Sequence, residues 1–533
     1  MQLFAILATG GIGLLVSLWA NHLLIQLAKN SAGLHRPHDL HHGHTQAIPR
    51  IGGIALAAGF LAAALVATLV FPEELFLNSA AWSIGIGSLC MFALGLWDDL
   101  SPLGARRKLL GQVLISAAVC VSGLTVERIH VPLMGGDLEL GFFGSFSLTV
   151  LWLVALTNLI NLIDGVDGLA GGIALMLMLL LSYVGYGQGV HLLCVGMAGA
   201  LIGFLRYNFP PARIYMGDGG AYMLGFLVGV TTIVSSQKGT VIAALVAPLF
   251  VLALPILDTA LAIVRRGLQG LPVFRPDRRH IHHRVLGMGW SRRRTVLSIY
   301  CFCLVFMVLG FVIFWSRGQW LPIATGVGAL VILITAGKLS FSREWFAVGR
   351  IIGNSLQMRG EIQYALAQIR WLELEGRRCE SVEELWTDLT FIARKLGFKA
   401  ARLQLEDGER LWQTDCQCRH LQSATHKLQQ GRLGTLELRA CLRASTEADG
   451  AKLPTEVVCA APGPVVADAE VFEILSEIVA EGWMKAARAW IKERGLADVA
   501  LRFDPESSPV QTAAQSNPLP LASAPQAARR PSA

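Results

Sequence analysis

The sequence has few charged residues for its length. Asp, Glu, Lys and Arg make up 16% of 533 residues, whereas soluble globular proteins carry about 25%. Hydrophobic residues make up 53%, a share that excludes an ordinary water-soluble enzyme. The 55 glycines show no three-residue period, and the apolar content is too high for disorder, so collagen-like and disordered chains are excluded as well. We therefore expect most of the chain to lie in a membrane.

The first residues lack the features of a cleaved signal peptide. The segment MQLFAILATGGIGLLVSLWANHLLIQLA has no basic n-region and no A-x-A cleavage site. Its apolar run is also longer than a signal h-region, so we expect a retained transmembrane span.

Apolar runs long enough to cross about 30 Å of hydrocarbon recur through the first 340 residues. They predict an all-α polytopic membrane protein with about eleven transmembrane helices. The predicted spans are 3–28, 51–71, 80–97, 109–126, 146–163, 169–187, 190–207, 219–236, 240–264, 295–315 and 319–337.

Basic residues are distributed unequally between alternate loops. One set of loops, which begins with 29–50 and ends with 265–294, holds sixteen Lys and Arg residues, and the opposite set holds three. Because Lys and Arg are retained on the cytoplasmic side, the first set is predicted to be cytoplasmic. The region after the last span is then cytosolic, and the plasma (inner) membrane is the expected location.

The composition changes after about residue 340. Residues 341–503 are mixed in polarity and predict a small cytosolic α+β domain, with helices at 360–375 and 382–396 and a long closing helix after 470. Residues 504–533 are rich in Pro, Ala and Ser and predict a disordered tail. The expected domains are therefore 1–340, 341–503 and the tail.

Polar residues interrupt the apolar pattern at the ends of several predicted spans. Asp98 and Asp99 follow the apolar run MFALGLW, and adjacent carboxylates repel each other unless a cation lies beside them. Taken alone, this pair is better explained as solvated loop acids. The segment NLINLIDGVDGLAGG is more informative, because its amides and acids recur every third residue among Leu and Ile. These residues are Asn158, Asn161, Asp164 and Asp167.

Residues three apart are neighbours on a helix, so successive members of this series are predicted to be adjacent until Gly165 and Gly168 break the helix. Burying two carboxylates and two amides near lipid is unfavourable, and we therefore favour a functional site over helix capping.

Two further clusters lie in loops of the same predicted face. Asp218 lies between two glycines directly before a predicted span, where free backbone N–H groups suit an anion and the acid suits a metal. Residues 274–289 carry three imidazoles among arginines: His280, His282 and His283 with Arg275, Arg278, Arg279 and Arg284. Contact with anionic lipid explains the arginines but not the imidazoles, and a phosphate-rich substrate suits both better than zinc does.

Carboxylates that prefer Mg²⁺ and bases that hold anions thus meet at one membrane face. This combination indicates metal-assisted phosphoryl chemistry. A cation-coupled transporter would place its acids near the centres of the spans. A membrane receptor would leave the acidic and histidine clusters without a purpose.

The motifs NLINLIDGVDGLAGG, YMGDGG and DRRHIHHRVL together resemble those of the polyprenyl-phosphate N-acetylhexosamine-1-phosphate transferases. The resemblance covers roughly residues 30–340. The HIHH form is similar to the WecA-like and TagO-like branch, which uses UDP-N-acetylglucosamine, and less similar to MraY, which transfers phospho-MurNAc-pentapeptide.

The resemblance implies a reaction and its partners. Enzymes of this family move a sugar 1-phosphate from a UDP-sugar to a polyprenyl phosphate such as undecaprenyl phosphate, release UMP and require Mg²⁺ or Mn²⁺. GlcNAc 1-phosphate is the expected group, and another UDP-N-acetylhexosamine or phospho-MurNAc-pentapeptide is the alternative. Membrane lipids are expected partners, nucleic acid is not, and a homodimer is one open option.

The resemblance also implies roles for individual residues. Asp98, Asp99, Asp164 and Asp167 match the catalytic acids, and Asp218 with Asp164 matches the metal site. The implied substrate contacts are Asn158, Asn161, His44, Arg275, His280, His282 and His283. The first cytoplasmic loop departs from the family pattern, since IPRIGGIAL and His44 match but the usual Asp and basic pair do not.

The mechanism is left open between direct transfer and a covalent two-step route, in which Asp98 or Asp99 orients, deprotonates or attacks. Residues 341–503 weakly resemble a GAF domain, without a chromophore Cys or nucleotide signature. A regulator, a partner protein or no ligand at all are open alternatives for this domain.

Overall fold

The fold is described from a computed structural model, which places residues 2–30, 48–71, 79–131, 136–186, 190–236, 248–271, 289–316, 320–338, 348–405, 408–414, 421–428, 433–441, 469–495 and 501. These residues are mainly helical, with a small sheet. The chain divides into two compact units, and the main division falls between Ile352 and Gly353, while the short segment Gln269–Leu271 also belongs to the second unit. The change in sequence composition predicts this division near residue 340. The predicted tail, 504–533, lies outside the described residues.

The first unit is built of helices. They are α1 Gln2–Asn30, α2 Gly52–Val70, α3 Ser79–Leu100, α4 Ala105–Val121, α5 Gly141–Ile163, α6 Leu169–Val184, α7 His191–Asn208, α8 Gly217–Ser236, α9 Ala253–Gln269, α10 Arg292–Trp315 and α11 Leu321–Lys338. Six of the described helices, α1, α2, α3, α5, α8 and α10, are long and apolar enough to cross a membrane.

Each of the eleven predicted spans overlaps one of these helices, although α9 begins at Ala253 rather than near 240. Residues 237–247 lie outside the described residues. The finding supports a multi-pass membrane protein, and the count of eleven spans stays a prediction.

Helix α8 lies at the centre of the first unit. Its sequence carries apolar residues on all sides, as a helix in the core of a helical bundle does. Tyr222 and Phe226 are buried on it, and it packs against α2, α3, α5 and α6. By contrast, α1 leaves Leu7, Leu15 and Trp19 more than half exposed, as expected for a lipid-facing surface. The central position of α8 fixes Asp218 near its beginning among the ends of several helices.

A short hairpin interrupts the helices of the first unit. Strands β1 Arg128–Val131 and β2 Gly136–Glu139 pair antiparallel, with Arg128 opposite Glu139. The side chains of these two residues form an ion pair of 3.2 Å. The hydropathy pattern does not predict this hairpin, because each strand has only four residues.

The second unit is an α+β domain. It contains α12 Val348–Glu375 from Gly353 onward, α13 Val382–Lys395, β3 Phe398–Gln404, β4 Glu409–Gln413, β5 Leu421–Lys427, β6 Thr435–Cys441 and α14 Ala469–Glu493. The strands form one antiparallel sheet in the order β4-β3-β6-β5.

The core of the second unit lies between this sheet and the helices, where Phe398, Phe472 and Trp483 are buried. The domain has the predicted α+β character, and both predicted helices and the closing helix are present. Strands β3 and β6 overlap the segments RLQLE and TLELRA, whose alternating apolar and polar residues predict strands, and β4 and β5 are additional. The GAF-like resemblance stays a prediction.

Candidate active site

The two adjacent acids at the end of α3 have different partners. The Asp99 carboxylate accepts hydrogen bonds from the backbone N–H groups of Asp218 and Gly219, at 3.0 and 2.9 Å. These N–H groups belong to the first turn of α8, where unpaired donors and the helix dipole favour a negative charge. The sequence predicts an anion site at this helix start, and the structure fills it with Asp99 itself.

Two glycines allow α3 and α8 to approach so closely. Gly217 has φ +75°, and a Cβ there would lie 2.5 Å from Oδ2 of Asp99. Gly95, one turn before Asp99 on α3, faces the backbone of Asp218, which a Cβ would overlap. A larger residue at either position therefore separates Asp99 from the start of α8.

Lys108 of α4 joins the other acid to Asp218. Its Nζ lies 2.5 Å from Oδ2 of Asp98 and 3.0 Å from Oδ2 of Asp218. Asp98 also accepts a hydrogen bond from the backbone N–H of Leu103 at 2.7 Å, and the hydroxyl of Tyr222 donates to Asp218 at 3.2 Å. One ammonium group thus bridges two carboxylates from different helices and balances one of their two negative charges.

Sequence reasoning missed the role of Lys108. It counted this residue only among the basic residues of a predicted cytoplasmic loop. Lys108 follows two other basic residues, so composition alone does not distinguish it from them.

Asp164 faces the same group of acids from the end of α5. Burial raises the pKa of Asp164 well above its usual range. The negative charges of Asp218, Asp99 and Asp167 raise this pKa further, and Arg50 lowers it. Carboxylates that interact this strongly need a cation near them when all are ionised.

Asp167 is held differently from Asp164. It is 7% exposed and accepts a hydrogen bond from the backbone N–H of Ala212 at 3.1 Å. Arg292, at the beginning of α10, lies 3.7 Å from the same carboxylate. These contacts tie the segment between α5 and α6 to the segment between α7 and α8.

The series from Asn158 to Asp167 is predicted to follow a helix until Gly165 and Gly168 break it, and the helix in the structure ends two residues before Gly165, so only the two asparagines lie on it. Helix α5 ends at Ile163, and Asp164 is its C-terminal cap, because the two Asp-Gly pairs that follow favour turns. Asn158 donates to Gln112 of α4 at 2.6 Å, and Asn161 lies two residues before the helix end.

Two side chains fix the turn at Gly168. Asn208 accepts from the backbone N–H of Gly168 at 3.0 Å and donates to the carbonyl of Ile214 at 2.8 Å. The Tyr300 hydroxyl of α10 donates to the carbonyl of Gly168, and its ring lies against Gly172. The acidic turn is thus held from two sides by residues that the sequence motifs do not include.

Tyr300→Phe is expected to lower the rate of catalysis by about fivefold, because a lost hydrogen bond of about 1 kcal/mol loosens the turn that carries Asp164. The measurement is kcat/KM together with the melting temperature in detergent. Tyr183→Phe on α6, a half-exposed tyrosine beside Phe311, is the matched control. Equal effects of the two changes would contradict a specific role of Tyr300.

Five predicted substrate-binding residues lie outside the described residues: His44, Arg275, His280, His282 and His283. Their roles stay predictions.

The donors present fit a hard divalent cation. Among the described residues, no group of three or more His, Cys, Asp or Glu side chains is arranged as a complete metal site. Mg²⁺ needs only one or two carboxylates when substrate phosphates complete its coordination. Asp218 and Asp164, whose charges interact, meet that requirement with oxygen donors alone.

Comparison with known proteins places this arrangement of acids in a family. The sequence profile of glycosyl transferase family 4 matches residues 81–236. A probable undecaprenyl-phosphate N-acetylglucosaminyl 1-phosphate transferase of Bacillus subtilis is 32% identical over 273 residues, which are 51% of this chain and 74% of that protein. The chain belongs to glycosyl transferase family 4.

Other relatives differ in the sugar that their names give. A decaprenyl-phosphate N-acetylglucosaminephosphotransferase of Mycolicibacterium smegmatis is 31% identical, over 55% of this chain and 78% of its own. A phospho-N-acetylmuramoyl-pentapeptide-transferase of Moorella thermoacetica is 35% identical, over 49% of this chain and 83% of its own.

The stretch matched by the glycosyl transferase family 4 profile contains every acid of the described site, from Asp98 to Asp218, and Lys108 as well. The resemblance to this group of transferases that the sequence motifs indicate is therefore confirmed.

Proposed function

We propose that this protein transfers N-acetylglucosamine 1-phosphate from UDP-N-acetylglucosamine to a polyprenyl phosphate and releases UMP. The observation that carries the proposal is the meeting of Asp98, Asp218 and Lys108, with Asp164 in electrostatic range, at helix ends of the family 4 region. The names of the Bacillus and Mycolicibacterium relatives support the sugar and the lipid acceptor.

The reaction joins two polyanions. An oxygen of the prenyl phosphate attacks the β-phosphorus of the UDP-sugar, a new P–O bond forms, and the bond to the UMP oxygen breaks. The prenyl phosphate is already ionised near neutral pH, so a strong base is not required. The site must instead bring the two phosphates together and stabilise the charge on the departing UMP.

Lys108 is the residue that we assign to attracting the phosphates. Its ammonium group forms ion pairs with the carboxylates of Asp98 and Asp218, and a phosphate oxygen that approaches these two carboxylates is attracted by the ammonium group. Asp98 then orients the lysine. Asp99 and Asp167 act as positioning residues, because backbone N–H groups already donate to their carboxylates.

We assign the binding of Mg²⁺ or Mn²⁺ to Asp218 and Asp164. When bound, the ion supplies positive charge that neutralises the diphosphate and stabilises the leaving group. The residues Arg275, His280, His282 and His283, outside the described residues, are proposed to hold the nucleotide sugar, and His44 the lipid phosphate.

The proposal includes a location and an orientation. The apolar runs predict eleven spans in the inner (plasma) membrane. The sixteen-to-three distribution of basic residues predicts that the active site and the second unit lie in the cytosol. The disordered tail and a regulator bound to the second unit are parts of the same proposal. The acids lie at helix ends rather than at span centres, which disfavours a transporter.

A reconstituted assay tests the proposed function. Purified protein is incubated with prenyl phosphate and each of several labelled UDP-sugars, and both the lipid product and UMP are measured. Formation of UMP without lipid product, or no release of UMP from any sugar nucleotide, would overturn the proposal.

UDP-N-acetylglucosamine is expected to be used and UDP-MurNAc-pentapeptide to be rejected. The physical reason is that a site with HIHH imidazoles and arginines for a compact hexosamine need not admit a bulky peptide. Overall identity does not decide this point, because the Moorella relative is 35% identical. The measurement is a side-by-side comparison of kcat/KM, and efficient use of the pentapeptide substrate would place the chain in the other branch.

A chain that ends near residue 345 is expected to retain transfer. The acids of the described site and Lys108 all belong to the first unit and precede α9, far from the cut. The check is turnover of the truncated protein in detergent, with its melting temperature as the control for folding. A well-folded truncated protein without activity would show that the second unit belongs to the catalytic part.

A further inference from the structure

Helix α12 carries apolar side chains on two different faces. One face is buried in the core of the second unit and includes Ile362, Ala365, Ile369 and Leu372. A second face remains exposed, and we call it the α12 seam: Tyr364, Ala367, Trp371 and Leu374. Tyr364, Trp371 and Leu374 are 46%, 38% and 58% exposed. A helix that is apolar on a second side usually binds another helix there.

The spacing of the α12 seam is that of a coiled coil. Its residues are separated by three, four and three positions, so they occupy the a and d positions of two successive heptads. Phe391 of α13, 42% exposed, extends the seam, since its ring centroid lies 6.3 Å from that of Trp371. Aromatic side chains of this kind are frequent anchors of protein–protein interfaces in general.

The flanking residues match a second copy of the same helix. With Tyr364 at position a, Arg370 lies at g and Glu375 at the e position of the next heptad. In a parallel two-stranded coiled coil, a residue at position g faces the partner's residue at position e, five positions further along the chain. The Arg370 of each copy would therefore face the Glu375 of the other, and the two-fold axis makes this opposite-charge pair occur twice. Gln363 and Gln368 occupy the preceding g and e positions, although the side-chain amide of Gln363 already donates to the carbonyl of Gly270 in the same chain.

Other features favour a second copy over an unrelated partner. Two copies inserted in one membrane with the same topology are related by a two-fold axis along the membrane normal, and the membrane keeps their concentration near each other high. Arg378 lies 3.9 Å from Glu375 in the same chain, so the pair with Arg370 would extend an existing ion pair.

We propose that the α12 seam is a dimer interface, in which the α12 helices of two copies of this chain pair as a parallel coiled coil. This interface goes beyond the proposed catalytic function and does not depend on it. It brings the two accessory units together whether or not each first unit is catalytically active.

Cysteine cross-linking in native membranes tests the proposal. Ala367→Cys places a thiol at a d position, where the two copies approach closely, and Ser423→Cys places one on the exposed surface of β5 as a matched control. With the wild-type cysteines as the baseline, Ala367→Cys is expected to give at least about tenfold more disulfide-linked dimer than Ser423→Cys. Equal yields from the two variants, or no dimer above the baseline, would overturn the interface.

A charge exchange tests the parallel register. Arg370→Glu and Glu375→Arg are each expected to reduce cross-linking of the Ala367→Cys chain several-fold, since each places like charges opposite one another. The double exchange is expected to restore the yield. If the double exchange does not restore the cross-linking yield, the parallel pairing is overturned. The same result is expected if the α12 seam contacts lipid or another protein instead of a second copy.

The mass of the full-length protein in detergent gives an independent measurement. The wild type is expected to be dimeric, and Trp371→Lys is expected to raise the dissociation constant by about tenfold or more, as loss of a central aromatic anchor does. Leu411→Lys, at an exposed apolar position of β4, is the control for folding and surface charge. A monomeric wild-type protein, or equal shifts in both variants, would contradict the proposal.

Discussion

Asp218→Asn and Asp164→Asn are each expected to lower sugar-phosphate transfer by about a thousandfold or more. Each change removes a carboxylate from the proposed metal site, and loss of a metal ligand removes several kcal/mol of transition-state stabilisation. Asp218 also receives the Lys108 ammonium and the Tyr222 hydroxyl, so its neutral amide weakens both contacts. The measurement is kcat/KM over a range of Mg²⁺ concentrations.

The matched control is Glu139→Gln. Its carboxylate is exposed and pairs only at the surface with Arg128, so this change removes one negative charge without touching the site. It is expected to retain activity within about twofold, as for surface changes in general. Near-normal turnover of both aspartate variants at saturating Mg²⁺ would exclude these residues as the metal ligands.

Lys108→Met is expected to lower kcat/KM by about a hundredfold. Methionine preserves much of the length of the side chain but removes the ammonium group from two carboxylates, and charged hydrogen bonds of this kind contribute about 1.5–3 kcal/mol. Asp98 and Asp218 would then repel each other without a neutralising group. The check is kcat/KM for both substrates and the melting temperature of the variant.

Arg107→Met provides the comparison for Lys108→Met. Arg107 is the preceding residue of α4 and is exposed, so the substitution Arg107→Met removes the same positive charge from the same helix without breaking the ion pairs of Lys108. If the two changes lower activity equally, a general effect of positive charge explains the result. A large effect of Lys108→Met alone assigns it to the ion pairs with Asp98 and Asp218.

The helices of the first unit could be predicted because hydropathy acts locally. Each predicted span overlaps a described helix, and α1 and α2 agree within two residues at both ends. The predicted span 146–163 also ends where α5 ends, at Ile163, and Asp164 is the C-terminal cap of this helix. The turn depends on Asn208 and Tyr300, which are distant in sequence.

The chemical character of the site could also be predicted, but the partners of its acids could not. Taken alone, the adjacent carboxylates Asp98 and Asp99 indicate only solvated loop acids, and the other polar motifs of the same face are what indicates a site. The sequence does not show that one acid binds Lys108 and that the other caps α8. Because Asp98 and Asp99 are adjacent, only the packing of α3, α4 and α8 decides which side each faces.

By itself the sequence determined the class of this protein, its order of motifs and the kinds of group in its site. It could do so because hydropathy, turn-forming glycines and charge act over a few residues. The tertiary structure decided which of these groups meet. Asp99 binds the backbone of Asp218 across 119 residues, and Lys108 binds the Asp218 side chain across 110. Such pairs form only when the helices pack, since no local pattern in the chain encodes a contact between residues so far apart.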